Sequence, residues 1–361
     1  MKAGVVGAGI LGRLMAFELV NAAWSVALFD QQASMEMHNC SAVAAGLLTP
    51  MTELEKCGEV IFDLGSVALL HHWPNIVGAL DATEYFQCRG SLVVSHPNDF
   101  SELQRFTHII RDKLQDKTQC QILNQTEILA LEPELAKWGS AFYFTKEGCL
   151  DNTVILEKLA HYLKNASVQF YLGEKVLNVM PSKIITQRDT YQFDVVFDCR
   201  GLSAKAIFSD LRGVRGEVIL LHAPDVNITR PVRLLSPKHY LYIVPRKHHH
   251  YMLGASEIES EDESNISVRT ALELLSSACY LHSGFLEARI IKTMTHLRPT
   301  LANHLPKIKY TDGLVAINGL YRHGFLVAPS LVKDAMQYIQ HGVASVIYSN
   351  LWEKIDANNF I

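Results

Sequence analysis

The first thirty residues constrain the fold most. Residues 3–6 are a short run of small and branched apolar side chains, the pattern of a buried strand. Gly7-Ala8-Gly9-Ile10-Leu11-Gly12 follows. It leads into a segment whose apolar positions Leu11, Leu14, Met15 and Leu19 recur at helical spacing. Residues 25–29 read as a second strand that ends at Asp30. Strand, glycine turn, helix and strand form a βαβ unit with a dinucleotide fingerprint at its first turn. The glycines act separately. Gly7 permits the tight turn, Gly9 lets a pyrophosphate approach the backbone, and Gly12 allows close packing of helix on strand. The helix N-terminus offers free N–H groups and partial positive charge to phosphates. Asp30 lies 18 residues after Gly12 (30 − 12), placed to accept hydrogen bonds from a ribose. The unit does not separate NAD from FAD, although an acid at position 30 disfavours the 2′-phosphate of NADP.

A chain of 361 residues is long for one core and suits two interlocked domains. Its charge of -4 argues against nucleic acid as a partner, since phosphate binding wants a basic face. The seven cysteines include no C-x-x-C pair, so neither a disulfide framework nor a zinc site is expected, and a reducing cytoplasm is the natural compartment. Glycines, Arg13 and Glu18 interrupt the apolar N-terminus and argue against a signal peptide. No transmembrane segment is expected elsewhere.

Further along, residues 41–50 are small and nearly uncharged, which permits either close approach to a flat ligand or a tightly packed loop. Helices are expected over 59–79, with His71-His72 at the end, and over 100–117, 125–131 and 151–164. Strands are expected over 88–95, bent at Gly90, and over 168–171, 175–179 and 193–197. The last leads into Asp198-Cys199-Arg200-Gly201 and reads as a parallel strand returning to the first domain. Neighbouring candidate strands at 217–221, 232–235, 240–245 and 251–255 suggest an antiparallel sheet outside that domain. Arg246 to His250 reads as a hairpin tip. Its adjacent histidines point to opposite faces, which argues against a metal site. Residues 257–263 read as an acidic, solvated loop. A buried strand at 314–318, a loop at 319–324 and a helix at 330–340 return to the first domain and aim a second helix N-terminus at the same crevice.

These segments together resemble FAD-dependent oxidases of the D-amino acid oxidase superfamily, with the strongest likeness to bacterial glycine oxidases. The resemblance implies an α/β fold: a Rossmann-type FAD-binding domain (1–80, 145–212 and 296–361) interleaved with an α+β substrate domain on an antiparallel sheet (81–144 and 213–295). Gly7, Gly9, Ile10, Leu11 and Gly12, with Asp30 and Gln31, look like the FAD fingerprint. Ser41 and the run Ala44, Ala45, Gly46, Leu47 look like the loop that passes the flavin ring. The likeness also assigns Val176, Cys199 and Gly201 to the cofactor. It assigns Gly319, Arg322, His323, Gly324, Phe325 and Leu326 to the final loop, whose N–H groups meet the pyrimidine end of the flavin. Arg215-Gly216-Glu217 resembles the entry into the substrate domain. Arg298, in Leu297-Arg298-Pro299, would pair with the substrate carboxylate, Tyr242 would donate a hydrogen bond to it, and Arg322 would lie at the active site. Three positions depart from the pattern: Leu320 stands where a His is usual, His323 where an Asn is usual, and Cys199-Arg200-Gly201 replaces a run of small residues.

The activity implied is hydride transfer from glycine, sarcosine or a small D-amino acid to flavin N5. The resulting imino acid would hydrolyse to an oxo acid, a step that in such relatives can feed thiamine biosynthesis. Oxygen or another acceptor would reoxidise the flavin, and a homo-oligomer is compatible with the sequence. Competing expectations are a dehydrogenase of the same fold serving a quinone or protein acceptor, a non-catalytic FAD-binding relative, and an NAD-dependent dehydrogenase. The last leaves the Arg298 and Arg322 segments unexplained. Read alone, a Tyr on an apolar strand such as Tyr242 is more often core than ligand, while Arg298 is also consistent with a structural ion pair and Arg322 with a surface loop.

Overall fold

The computed structural model describes residues 1–35, 39–96, 99–236 and 241–356. The chain forms two compact units. The first comprises Met1–Ala44, Asn152–Val214 and Arg298–Ile361, the second Ala45–Asp151 and Arg215–Leu297. Residues 45–80 and 145–151, expected with the first domain, fall in the second unit, where Gly148–Leu150 pairs with both Leu47–Leu48 and Phe86–Gln87.

In the first unit, Lys2–Val6 lies between two parallel neighbours, Ser25–Asp30 and Val195–Asp198. Leu314–Asn318 extends the sheet beside Val195–Asp198, and Gln169–Leu172 extends it beside Ser25–Asp30. Lys307–Thr311 and Trp352–Lys354 complete seven strands. Strands buried on both faces read as unbroken apolar runs rather than alternations. Accordingly every residue of Val195–Asp198 and of Leu314–Asn318 is buried. The strand order reverses at Lys2–Val6, the switch point outside whose carboxyl end α/β proteins bind ligands. The Ile10–Asn21 helix packs on this sheet, and Gly324–His341 packs against it. A small antiparallel sheet, Val176–Met180, Lys183–Thr186 and Thr190–Gln192, closes a core of Val6, Ala27, Phe29, Val179, Ile184, Val196 and Leu314.

The second unit is built on an eight-stranded, largely antiparallel sheet. One pairing, Val232–Leu234 with Ser91–Val94, is parallel. Arg212–His222, Leu241–Arg246 and His250–Gly254 form its centre. The strand expected over 240–245 starts at a position outside the described residues and is observed from Leu241. The hairpin tip falls where expected, with His248 and His249 both at positive φ (57° and 54°).

Several expectations need correction. His71 and His72 do not end a helix. They belong to a π turn, Ala68–His72, inside continuous helical chain from Glu59 to Ala79. The expected 100–117 helix stops at Lys113. The final helix starts at Gly324 rather than Ser330 and carries Pro329 in its interior. Proline is favoured at the first helical turn, which drew the sequence-based boundary too far along. The acidic loop is pinned as well as solvated: buried Arg215 donates to the Asp262 and Asn265 carbonyls at 2.6 and 2.8 Å and pairs with Glu217 at 2.7 Å. Two further elements fall outside the expected set, the Val268–Leu281 helix and the Arg289–Thr300 strand.

Candidate functional site

The glycine turn in the first unit has the geometry its sequence demands. Gly7 sits at φ +99°, and its N–H donates to the Phe29 carbonyl at 2.8 Å. A Cβ on Gly12 would stand 1.8 Å from the Gly7 carbonyl oxygen, and one on Gly7 would stand 2.5 Å from that of Cys199. The Cys199 and Arg200 backbone therefore flanks the turn, with the Cys199 N–H bonded to the Val6 carbonyl at 2.8 Å, while Gly201 faces Pro299. Gly9 is different: the one neighbour its Cβ would meet is the Ser41 hydroxyl oxygen, at 3.2 Å. The space in front of Gly9 is a cradle that any side chain would begin to fill. The Ile10 N–H donates to Ser41 Oγ at 3.0 Å. The helix otherwise begins without a side-chain cap, so its first-turn N–H groups remain available to an anion.

Asp30 is held by this turn. Its carboxylate accepts from the Ala8 N–H at 2.7 Å and from the Gln32 N–H at 2.8 Å. A carboxylate has about four acceptor sites, so capacity for a ribose hydroxyl remains. Gln31 beside it is exposed. Val176, at the start of its strand, is half-buried and packs against the core containing Phe29 rather than against the turn.

Three residues that sequence reasoning did not assign build the cradle from behind. Arg13, fully buried in the first helix, donates to the carbonyls of Ala8 (2.8 Å), Met35 (2.9 Å) and Leu156. Burial pulls its guanidinium down to about 10. Buried Asn152 donates to the Ser41 and Ala42 carbonyls, both at 3.0 Å, and fixes the short Cys40–Val43 helix. Asn318 donates to the Gly201 carbonyl at 2.8 Å and accepts from the Gly319 N–H at 2.8 Å, tying the two expected cofactor loops together. Each of these partners is distant or conformational, so no local pattern advertises it.

Gly319 (φ +77°) turns the chain where a Cβ would stand 2.6 Å from Leu301. Tyr321–His323 forms a 3₁₀ turn, and the Gly324–His341 helix begins with no side-chain cap. A Cβ on Gly324 would lie 3.9 Å from Ile10 Cγ2, so two uncapped helix N-termini converge. Phe325 and Leu326 are buried in the first turn of this second helix. Half-buried Arg322 donates through Nε to buried His323 Nε2 at 3.3 Å, an arrangement that leaves the proton of a neutral imidazole on Nδ1. Arg298 is half-buried on its strand, within electrostatic reach of Cys40. Burial pushes the Cys40 thiol up to about 11 despite that cation. Arg200 turns back on buried Asp198, with bonds of 2.9 and 2.7 Å to its two carboxylate oxygens.

In the second unit, Tyr242 faces Gly254 across the hairpin. A Cβ at Gly254 would stand 2.3 Å from the Tyr242 hydroxyl oxygen, so the ring lies flat over bare backbone. Gly46 sits at φ +69°, and its carbonyl accepts from the Leu150 N–H at 2.9 Å. Ala45 and Leu47 flank it. Glu147, fully buried, accepts from the Thr52 N–H at 2.7 Å and bonds the Ser91 hydroxyl. Burial raises its carboxyl to about 8.

The cradle fits a dinucleotide, and comparison with known proteins decides which family the chain joins. Residues 2–335 match the family model described as FAD dependent oxidoreductase. The chain belongs to this family. It is 35% identical over 335 residues to a Rhizobium etli protein that carries the name thiamine biosynthesis oxidoreductase ThiO, covering 92% of this chain and 95% of that one. Among solved structures, glycine oxidase from Geobacillus kaustophilus superposes with a TM-score of 0.80 at 21% identity, covering 94% of both chains. Iminodiacetate oxidase from Chelativorans sp. BNC1 gives 0.82 at 19% identity, covering 98% of this chain and 99% of that one. As a member of the family, the protein is an FAD-dependent oxidoreductase with a Rossmann-type domain interleaved with an α+β domain. No helix among the described residues is long and apolar enough to cross a membrane.

Proposed function

We propose that this FAD-dependent oxidoreductase oxidises a small amino acid (glycine, sarcosine or a small D-amino acid) in the cytoplasm, with the imino-acid product entering thiamine biosynthesis. The observation that carries this reading is the 35% likeness to ThiO over nearly the full length of both chains. In this reading the first unit is the FAD-binding domain and the second the substrate domain.

The pyrophosphate would lie on the Gly7–Gly12 turn, against the N–H groups of Leu11 and Gly12, with Asp30 on the ribose. When bound, FAD supplies a two-electron acceptor that takes a hydride from the substrate carbon. The remaining work falls to the chain. Arg298 takes the substrate carboxylate in a bidentate pair that fixes orientation as well as position. The Tyr242 hydroxyl donates to the substrate, and its ring is held in one plane by the Gly254 backbone beneath. Arg322, braced on His323, supplies positive charge. The uncapped Gly324–His341 helix start adds N–H groups that favour developing negative charge. An amine that enters neutral needs no strong side-chain base, and none of the residues proposed to contact substrate is a carboxylate. The imine leaves to hydrolyse to an oxo acid and ammonia.

Anaerobic addition of glycine, sarcosine and D-amino acids to the yellow holoprotein tests the reading. Bleaching by one of them is the expected result, and oxygen uptake with that substrate marks an oxidase. A protein that no amine bleaches would overturn it.

A further inference from the structure

Arg246 is a closely engaged cation of the second unit. Its side chain is 6% exposed. One terminal nitrogen donates to the Leu150 carbonyl at 2.7 Å, the other to the Ala45 carbonyl at 2.5 Å, and Nε lies 3.6 Å from an Asp151 carboxylate oxygen. The Leu150 carbonyl belongs to the small three-stranded sheet in which Leu47 pairs with Cys149, and the Ala45 carbonyl lies just before that sheet, next to Gly46, whose carbonyl accepts from the Leu150 N–H. Arg246 itself ends the Leu241–Arg246 strand. Alternate residues of a strand share a face, so Tyr242 and Arg246 project from the same side, about 13 Å apart at ~3.3 Å per residue.

We propose that Arg246 is a positioning residue for the reaction, a strut that fixes the Ala45–Leu48 segment relative to the strand that carries Tyr242. The inference rests on the proposed roles of those two elements at flavin and substrate. A buried cation is costly unless it is paired and hydrogen-bonded, and here Asp151 supplies the charge and the two carbonyls the bonds. The geometry calls for arginine in particular. A planar fork reaches two carbonyls at once, whereas a lysine ammonium is a single point on a flexible stem. With the strut removed, the Leu47–Cys149 pairing and the Leu150 bond to the Gly46 carbonyl remain, but Ala45 and Leu150 lose their tie to the Tyr242 strand. Misplacement on the order of 1 Å is enough to cost a reaction about 100-fold.

The test compares wild type, Arg246→Lys and Arg246→Ala in two readouts. The first is amide hydrogen exchange, measured on apoprotein and holoprotein. Both variants should exchange faster within 45–52 and 148–151, with peptides from the Gly7–Gly12 turn unchanged. The second is steady-state kinetics with the FAD content measured. Arg246→Lys should keep its FAD and lose on the order of tenfold or more in kcat, with a smaller change in KM. Added guanidinium ion should restore part of the activity of Arg246→Ala. Wild-type exchange in 45–52 in the lysine variant would overturn the proposal, as would unchanged kcat at full FAD occupancy. Should Arg246→Ala fail to fold, the lysine variant alone decides. The exchange readout needs no substrate, so it stays informative even if no amino acid bleaches the wild-type flavin, the outcome that would instead sink the proposed function.

Discussion

Two charged side chains carry the sharpest tests at the scale of single residues. Replacing Arg298 with Ala removes the proposed carboxylate clamp. Hydrogen bonds to charged groups contribute about 1.5–3 kcal/mol each, so KM should rise on the order of 100-fold with FAD still bound. Steady-state kinetics on the yellow variant checks this, and an unchanged KM removes Arg298 from that role. Glu147 makes a pH prediction. Burial raises its carboxyl to about 8 in the folded chain, against about 4.3 when unfolded. Across that interval the folded state holds a proton that the unfolded state lacks, so stability falls as pH rises from about 5 to 8, by up to ~1.4 kcal/mol per unit. Glu147→Gln keeps an amide that can donate to Ser91 and accept from Thr52, and it should flatten the dependence in denaturant titrations at several pH values. The sequence made some of these residues legible and hid others. Gly7 and Gly12 could be read because close backbone neighbours exclude a side chain there, and Gly9 because it faces the open cradle. Glu147, Asn152 and Asn318 could not, because each is defined by a partner far along the chain, or by a backbone conformation that only the fold creates. The pairing of Arg200 was hidden for a related reason: its partner Asp198 is two residues away, but only the bend after the strand brings them together.

Elements differ in how openly they declare themselves. The βαβ unit and the 241–254 hairpin were legible because periodicity and turn chemistry agree there. The Val268–Leu281 helix hides because its buried stripe includes Thr270 and Ser277 while Val268 and Leu272 face solvent. The Arg289–Thr300 strand hides because its first five residues are exposed. At the glycine turn, Gly12→Ala would force a Cβ against backbone rather than a flexible side chain. Such overpacking costs about 1–3 kcal/mol, and the variant should be purified with little FAD, read from its visible absorbance. The hairpin tip offers the opposite experiment. Left-handed backbone costs a non-glycine residue about 1–2 kcal/mol, and His248 and His249 both adopt it. Asn tolerates that conformation better. His248→Asn should therefore stabilise the protein by about 0.5 kcal/mol in chemical denaturation and leave the His249 bond to the Val226 carbonyl in place.

At the scale of the whole molecule the chain passes between its two units four times, after residues 44, 151, 214 and 297. The interleaving was legible as returns of parallel-type strands, but the placement of 45–80 was not. Gly148–Leu150 pairs with both Leu47–Leu48 and Phe86–Gln87 and so links that segment to the second unit, and two-residue strands leave no periodic trace. The central strand of the Rossmann sheet, Lys2–Val6, has as its neighbour a strand almost two hundred residues later, and Leu314–Asn318 lies beyond that. A chain ending at residue 300 would lack this last strand and the Gly324–His341 helix. It should bind no FAD and show no cooperative thermal transition, in contrast to the full chain.

That order of assembly matters while the protein is being made. A chain emerging from a ribosome presents its phosphate turn first, yet the strand that flanks Val195–Asp198 and the second helix start beside Ile10 come last. Val195–Asp198 must therefore wait with one edge open, although Lys2–Val6 and Ser25–Asp30 are paired by the time it is made. Cofactor loading is in effect a late checkpoint: a polypeptide that holds flavin has already completed its fold. Pulse-labelled chains should acquire FAD only once the Gly324–His341 helix has been made, and a cell short of flavin should accumulate full-length protein that chaperones still hold.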